Sequence, residues 1–361
     1  MLPWPQVPLT PHAGVRSTLR FRPPHCPDDA CPSHSSGERW RFVRNGFYSR
    51  ECDGHRIQRY RCSECRLEFS TQSFRGNYRE QRPDIDTEVY QHFVAKVTQR
   101  QSARILAVDK KTIGRRLKRF GAICRAFHSH LAPMRDSEKL MQGGFMLDEG
   151  ESYAKSRRNN PLTYPVLIHR DSFFVVHAEV GPLPRRGGKG RDEDEPEPLD
   201  TPERKARAQG SRLAVERCVA ALGELLPENP PVLVKSDMKQ SYGEVLRARF
   251  GERLVHETTS STAPRGTSNP LFRINLTLAM MRDGLSRLVR RTWAASKLAA
   301  RLLDHTWVWI TYRNYVRGKT NDEWETTPAI QLGVCGRKLT PADVLRWGAA
   351  YVAALCKRVA N

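Results

Sequence analysis

Between Asp84 and Phe127 the apolar positions recur at helical spacing. Val89, Phe93 and Val97 come four apart, then Ala103, Ile105 and Leu106, and after Asp109 come Ile113, Leu117 and Phe120. This predicts helices broken by one tight turn, a helix-turn-helix unit over 84–130, with Asp109 placed to cap the second helix. After Gly143-Gly144 the period shortens. Phe145 to Leu147, Thr163 to His169 and Phe173 to Val180 read as strands, the last two joined by the polar turn Arg170-Asp171-Ser172. Ala214, Cys218, Leu222 and Leu225 form a helical stripe that stops at Pro227. Pro231 to Val234 is a short apolar run fit for a buried strand, and Asp237 stands just beyond it. A further strand, Leu254 to Glu257, leads through a Ser/Thr/Pro/Gly loop into a long helical pattern from about Asn275. The order predicts an α/β (α+β) domain over 143–320, a mixed sheet with helices, preceded by the all-α unit. Residues 182–208, dense in Pro, Gly and mixed charge, read as a surface insertion or plain linker. Residues 1–24 read as a disordered leader, and 321–361 as a helical tail.

Charge narrows the partners. The 361 residues carry 60 Lys+Arg against 39 Asp+Glu, a formal +21, which calls for a polyanionic partner or surface. No apolar run approaches the roughly 18 residues of a spanning helix, and the N-terminus lacks the apolar stretch of a signal peptide. The expectation is a cytoplasmic, nucleoid-associated protein without a membrane partner. Nine cysteines, an odd and scattered set, argue against a disulfide scaffold. Nucleic acid is then the leading partner. From Arg100 to Arg119 there are eight basic residues against one acid, Asp109. Lys110, Lys111, Arg115, Arg116 and Arg119 are expected on the exposed face of the second helix, with Lys111, Thr112 and Arg115 near enough to its N-terminus to reach base edges. The competing reading is a solvated basic helix.

Two constellations carry chemistry. Cys26-x4-Cys31 and Cys62-x2-Cys65, within a turn-rich segment over 25–78, have the spacing of two knuckles holding a tetrahedral structural zinc. His25, His34, Cys52 and His55 are spare donors able to replace any one thiolate. Asp148 and Asp237 each follow a short apolar strand. Carboxylates at neighbouring strand ends can share divalent cations, magnesium or manganese, and direct them at a phosphodiester. From Arg282 to Lys319 nine cations face two acids, so Arg287, Arg290 and Arg291 could track a DNA backbone. Trp293, Trp307, Trp309, Tyr312 and Tyr315 either stack on bases or, the commoner use, fill the core.

The order of motifs resembles bacterial insertion-sequence transposases over about 26–317. It runs from a zinc ribbon and helix-turn-helix to Leu147-Asp148-Glu149-x-Glu151-Ser152, Thr163 to Asp171, Ser236-Asp237-x-Lys239-x-Ser241-Tyr242, His256-Glu257-Thr258 and Asn269-Pro-Leu-Phe-x-x-Asn275. Arg282-Asp283-x-x-Ser286-Arg287-Leu288 and Tyr312 to Arg317 continue it. The resemblance implies a ribonuclease H-like domain with a DDE-type acidic triad, Asp148 first and Asp237 second. The helical Glu of such families is missing near Phe272 to Asn275, and Asp283, about 200° around the wheel from Met281 and Leu285 at ~100° per residue, is the nearest helical acid. Glu257 and Glu149 are weaker substitutes. The function implied is binding of double-stranded DNA at element ends, by a homo-oligomer, followed by metal-dependent cleavage and strand transfer into target DNA. The alternative is a transposase-derived, zinc-containing DNA-binding regulator without catalysis.

Overall fold

The computed structural model describes residues 21–35, 40–52, 54–74, 80–185, 201–260, 262–264, 266–289 and 294–348. Most of the expected leader, positions 186–200 of the insertion, Arg290, Arg291, Trp293 and the end of the tail lie outside them. Two compact units are present, one of residues 1–88 with 342–361, the other of residues 89–341.

In the first unit a one-turn helix α1 (Pro32–Ser35) precedes three antiparallel strands, β1 (Phe42–Ser49), β2 (Arg56–Cys62) and β3 (Glu68–Ser70). Little aliphatic side chain is available here. The core is aromatic instead, with Trp40, Tyr60, Phe69 and Phe74 packed around Cys26, Cys31 and Cys62. Trp40 Nε1 donates to the Pro23 carbonyl at 3.1 Å and Tyr60 Oη to that of Phe21 at 3.0 Å, so each buried ring keeps its polar atom satisfied.

The second unit takes in the C-terminal part of α2 (Asp86–Val94), then α3 (Gln99–Ile105) and α4 (Lys110–Leu131). Where one turn was expected the chain makes two, at Lys96 (φ 62°) and Ala107 (φ 50°), because both residues leave the helix in the left-handed region. Thr98 and Gln101 form a reciprocal capping box on α3, and Asp109 caps α4 by accepting from Lys111 N at 2.6 Å. Arg116, expected on the exposed face, is instead 2% exposed. It falls inside the stripe Ile113, Leu117, Phe120, Cys124 and Phe127, one turn below Phe120, so helical periodicity turns it inward. Nor does α4 close a small domain near residue 130. It runs on to Leu131 and lies along α10 (Ala299–Thr311) so closely that a Cβ on Gly121 would sit 2.5 Å from Asp304 Cβ.

After a short α5 (Ser137–Met141), the sheet is built from β4 (Phe145–Tyr153), β5 (Pro161–His169), β6 (Val175–Ala178), the two-residue β7 (Gly181–Pro182), β8 (Val232–Asp237) and β9 (Leu254–Thr259). Its order is β6-β5-β4-β8-β9, with β7 beside β5. β5 is antiparallel to its neighbours, while β8 is parallel to both β4 and β9. Parallel neighbours require crossovers. α6 (Pro202–Leu225) lies in the one leading to β8, and α7 (Gln240–Phe250) links β8 to β9. α7 was not foreseen, although Tyr242, Val245, Leu246 and Phe250 are its buried stripe. α6 begins inside the expected insertion because Thr201 caps it, accepting from Arg204 N at 3.2 Å, with Pro202 at the first helical position.

The long helix expected beyond Asn275 is two pieces, α8 (Phe272–Gly284) and α9 (Ser286–Val289), so Asp283 and Arg287 do not share a helix. The break falls at Gly284, where a Cβ would lie 2.8 Å from Trp309 Nε1, and Leu285 is extended. Trp307, Trp309 and Tyr315 are core residues, each at most 1% exposed. Past α10 a wide turn over Tyr312–Val316 brings Asn314 against the outer edge of β6. There its amide donates to Val175 O and accepts from Val175 N, both at 2.9 Å, while His128 Nε2 donates to Val176 O at 2.9 Å. The edge strand is thereby closed to further pairing. Beyond it come only a short α11 (Pro328–Gln331) and a helix over 341–348 among the described residues of the tail.

Two substitutions on α4 separate packing from propensity. Gly121→Ala forces a methyl against Asp304 backbone and is expected to cost about 1–3 kcal/mol. Gly114→Ala, with nothing within 4 Å of its Cβ position, is expected to gain up to about 1 kcal/mol. Urea midpoints of the two variants check both signs.

Candidate active site

The parallel pairing of β4 with β8 sets Phe145 opposite Val234 and Met146 opposite Lys235. The strand expected to end at Leu147 runs on to Tyr153 because its pairing with β5 continues, so Asp148 lies within β4 and not beyond its end. The β4–β8 register carried two residues past its last pair sets it level with Asp237, the last residue of β8, on one face of the sheet, and the two carboxylates act on one another. Asp148 is half-buried. Burial, first, and the charges of Asp237 and Glu149 push its carboxyl up to about 6, against the Glu149 N–H, which donates to Oδ1 at 2.7 Å, and the Arg282 guanidinium. Asp237 is held by a turn of its own, Oδ1 accepting from Lys239 N at 3.0 Å where α7 begins. Gly150 makes room for the ring of Tyr164 across the β4–β5 pair; a Cβ there would lie 2.0 Å from the ring. Arg282 of α8 also acts on the Tyr164 hydroxyl, so one cation from α8 serves the carboxylate face.

Glu149 points the other way. Its carboxylate accepts from Lys239 Nζ at 2.6 Å and from Thr163 Oγ1, and it is 9% exposed. Beside this network Tyr242 is pushed far up by burial, and further by Glu149, Asp148 and Asp237. Negative charge thus lies on both faces of the sheet at this point of β4. Glu257 pairs with Lys235 at 2.6 Å. Asp283 forms an ion pair with Lys96 and is 73% exposed, while its neighbour Arg282 is the α8 charge that acts on Asp148. Asp148 and Asp237 are brought together, and Asp283 is turned to a different partner.

Among the described residues, one set of three or more metal-binding side chains converges, Cys26, Cys31, Cys62 and Cys65, with all four Sγ atoms within 4.8 Å of one another. Cys26 and Cys65 Sγ are 3.5 Å apart, Cys31 and Cys62 Sγ 3.8 Å. A tetrahedron with ~2.3 Å Zn–S bonds has sulfur separations of about 3.8 Å, so the donor set fits zinc. The loops explain the geometry. Cys31 N donates to Asp28 O, Cys62 N donates to Leu67 O, and Arg66 takes a left-handed φ of 59°. Of the spare donors, His34 Nδ1 is engaged with the Cys26 carbonyl, leaving the thiols to the cluster.

Lys110, Lys111 and Arg115 are exposed on α4, Thr112 and Arg119 are half-buried, and Arg119 lies over the Phe120 ring at 5.0 Å. Arg287 is half-buried and reaches Ser296 Oγ at 3.4 Å. No helix among the described residues is long and apolar enough to cross a membrane.

No family model matches the chain, and no curated protein matches it. Among solved structures it is similar to the catalytic domain of the Mos1 mariner transposase, at 10% identity and a TM-score of 0.25, over 66% of this chain and 94% of that one. A likeness that distant carries no argument, and the fold rests on the strand order and register given above.

The elevated Asp148 carboxyl has a consequence for stability. Its folded value of about 6 lies above the ~3.9 of an unfolded Asp, so the protonated form is favoured by folding; the contribution is full below pH ~3.9 and is lost as pH rises through about 6. In chelator-treated protein, Asp148→Asn is therefore expected to gain stability over wild type on going from pH 4 to pH 7, by on the order of 3 kcal/mol. Denaturant titrations at the two pH values check it, and an unchanged difference would mean that Asp148 ionises without penalty.

Proposed function

We propose that the chain is a DNA-processing enzyme of the DDE transposase type, acting on double-stranded DNA at element ends and target. The observation that carries this reading is the proximity of Asp148, in the middle of β4, to Asp237, at the end of its parallel neighbour β8, in a sheet of order β6-β5-β4-β8-β9, the mixed sheet with helices expected of a ribonuclease H-like domain. Two like charges brought together, one of them buried enough to hold its proton to about pH 6, form a site whose missing complement is a cation. Bound by Asp148 and Asp237, magnesium or manganese would supply that charge and Lewis acidity toward a phosphodiester. Arg282, beside Asp148, is placed to take negative charge that develops on the phosphoryl oxygens. Glu149, through Lys239 and Thr163, fixes β4 to α7 and to β5 and so holds the two aspartates in register. The reaction is in-line displacement. Water attacks phosphorus and a strand is released with a 3′-hydroxyl, which then attacks a target phosphodiester and displaces a second 3′-oxygen.

In the same reading the four-thiol unit holds one structural zinc, and Lys110, Lys111, Thr112 and Arg115 on α4, with Arg287, contact DNA. Catalysis is assigned to Asp148 and Asp237 and not to Asp283, whose partner is Lys96. One observation favours a second reading, a DNA-binding regulator descended from such an enzyme. Among the described residues no third carboxylate converges with the pair.

Asp148→Asn and Asp237→Asn are each expected to reduce Mg²⁺- or Mn²⁺-dependent cleavage of element-end DNA at least a thousandfold while leaving its binding within about twofold. Absence of any cleavage or joining by the wild-type protein would hand the site to the regulator reading. Zinc is expected at one ion per chain, falling to none when Cys62 and Cys65 are both changed to Ser; full retention of zinc by that variant would remove the assignment.

A further inference from the structure

A cavity of about 770 Å³ opens in the second unit, lined by α3, the first turns of α4, α9 and the start of α10. Six cations face into it, Arg100, Arg104, Lys110, Arg287, Lys297 and Arg301, and no carboxylate is among its described lining residues. Such a concentration is costly. Burial and the neighbouring Arg301 lower Arg287 to about 10, and the one acid acting on it is Asp304, which already pairs with Arg301 at 2.8 Å. The cavity carries one further feature of an anion site. The N-terminus of α10 opens there, and its cap residue Leu298 provides no side-chain acceptor for the first amides. His305, 2% exposed, also lines it, with Nε2 donating to Phe93 O at 2.7 Å and Nδ1 left without a hydrogen-bond partner.

We propose that this cavity is the pocket in which Lys110 and Arg287 meet DNA, a site for the phosphate backbone built by α3, α4, α9 and α10 together and lined by none of the residues that surround Asp148 and Asp237. The idea rests on the nucleic-acid reading above but not on catalysis. It changes the meaning of α4. Lys110 and Gly114 belong to the cavity wall, so the N-terminus of that helix grips phosphate together with α3 and α10. Arg100, Arg104, Lys297 and Arg301 join Lys110 and Arg287 in a single electrostatic site, although the two groups lie nearly 200 residues apart in the chain. Phosphate oxygens provide the negative charge that six cations require, and a cavity of this volume admits more than one phosphate. The neutral His305 ring offers Nδ1 as an acceptor for a water that accompanies the phosphate.

The test uses the full chain and a fluorescein-labelled 30-base-pair duplex, with anisotropy titrations between 50 and 300 mM KCl. Arg104→Ala/Lys297→Ala removes two exposed cations without touching the core. It is expected to flatten the slope of log K against log salt by about 1.8, at ~0.9 per phosphate contact, and to weaken binding at least tenfold at 100 mM. Arg104→Lys/Lys297→Arg is expected to restore the slope. Lys139→Ala/Lys205→Ala, cations outside the cavity, should leave it unchanged. A slope and affinity within experimental error of wild type for Arg104→Ala/Lys297→Ala would overturn the proposal, and so would loss of heparin binding with duplex binding intact, since the anion would then not be DNA. Asp148→Asn measured alongside keeps the two ideas apart. A flattened slope in the cavity variant supports the phosphate-backbone site even if wild-type protein cleaves nothing, whereas cleavage with an unaltered cavity slope supports the active site alone.

Discussion

Like-charge repulsion between Asp148 and Asp237 is the constraint around which the second unit is organised. The parallel β4–β8 register sets the two carboxylates side by side, and burial denies Asp148 the solvent that would relieve it. An arrangement this unfavourable persists only where surrounding structure enforces it. Asp237 is pinned by the Lys239 amide, β4 is tied to α7 and β5 through Glu149, and the Tyr164 ring fills the space over Gly150. The folded chain holds the pair in a state that a cation would stabilise.

The same logic with opposite sign runs through the basic side of the unit. Arg287 and Arg301 crowd one another near a single shared acid, and the cavity they line has no carboxylate among its described residues. A carboxylate site short of cations and a cation site short of anions within one compact unit are complementary demands. In the proposed reading a metal ion would answer the first and a polyanion the second. In the other unit four thiols meet at distances that suit zinc, in a core too small to be held by aliphatic packing.

The features set by local chemistry were legible in the sequence. Paired cysteine spacing located the thiol cluster, apolar runs located the strands, and Asp109 was read as the cap of α4 from its position alone. Asp148 and Asp237 could both be named as candidate carboxylates, and the strand end was right for Asp237 alone, since β4 runs past Asp148 to Tyr153. That the two meet depends on the pairing of β4 with β8 across about 90 positions. What failed depended on long-range packing. The helix beyond Asn275 breaks because Gly284 sits against Trp309. α7 was hidden by a mixed pattern whose apolar positions are few, and Asp283 was judged from a helical wheel that cannot show Lys96. The cavity had no signal at all, since its cations come from segments that meet only in the folded chain.

The central claim is that Asp148 and Asp237 together hold a divalent cation. The most direct measurement is anomalous diffraction from crystals of the wild-type protein grown with Mn²⁺ and a duplex of its element end. The account predicts a manganese peak at the two carboxylates, with Asp148 and Asp237 both among the residues that hold it. Well-ordered aspartates with no peak between them, or a peak held by other residues, would contradict it.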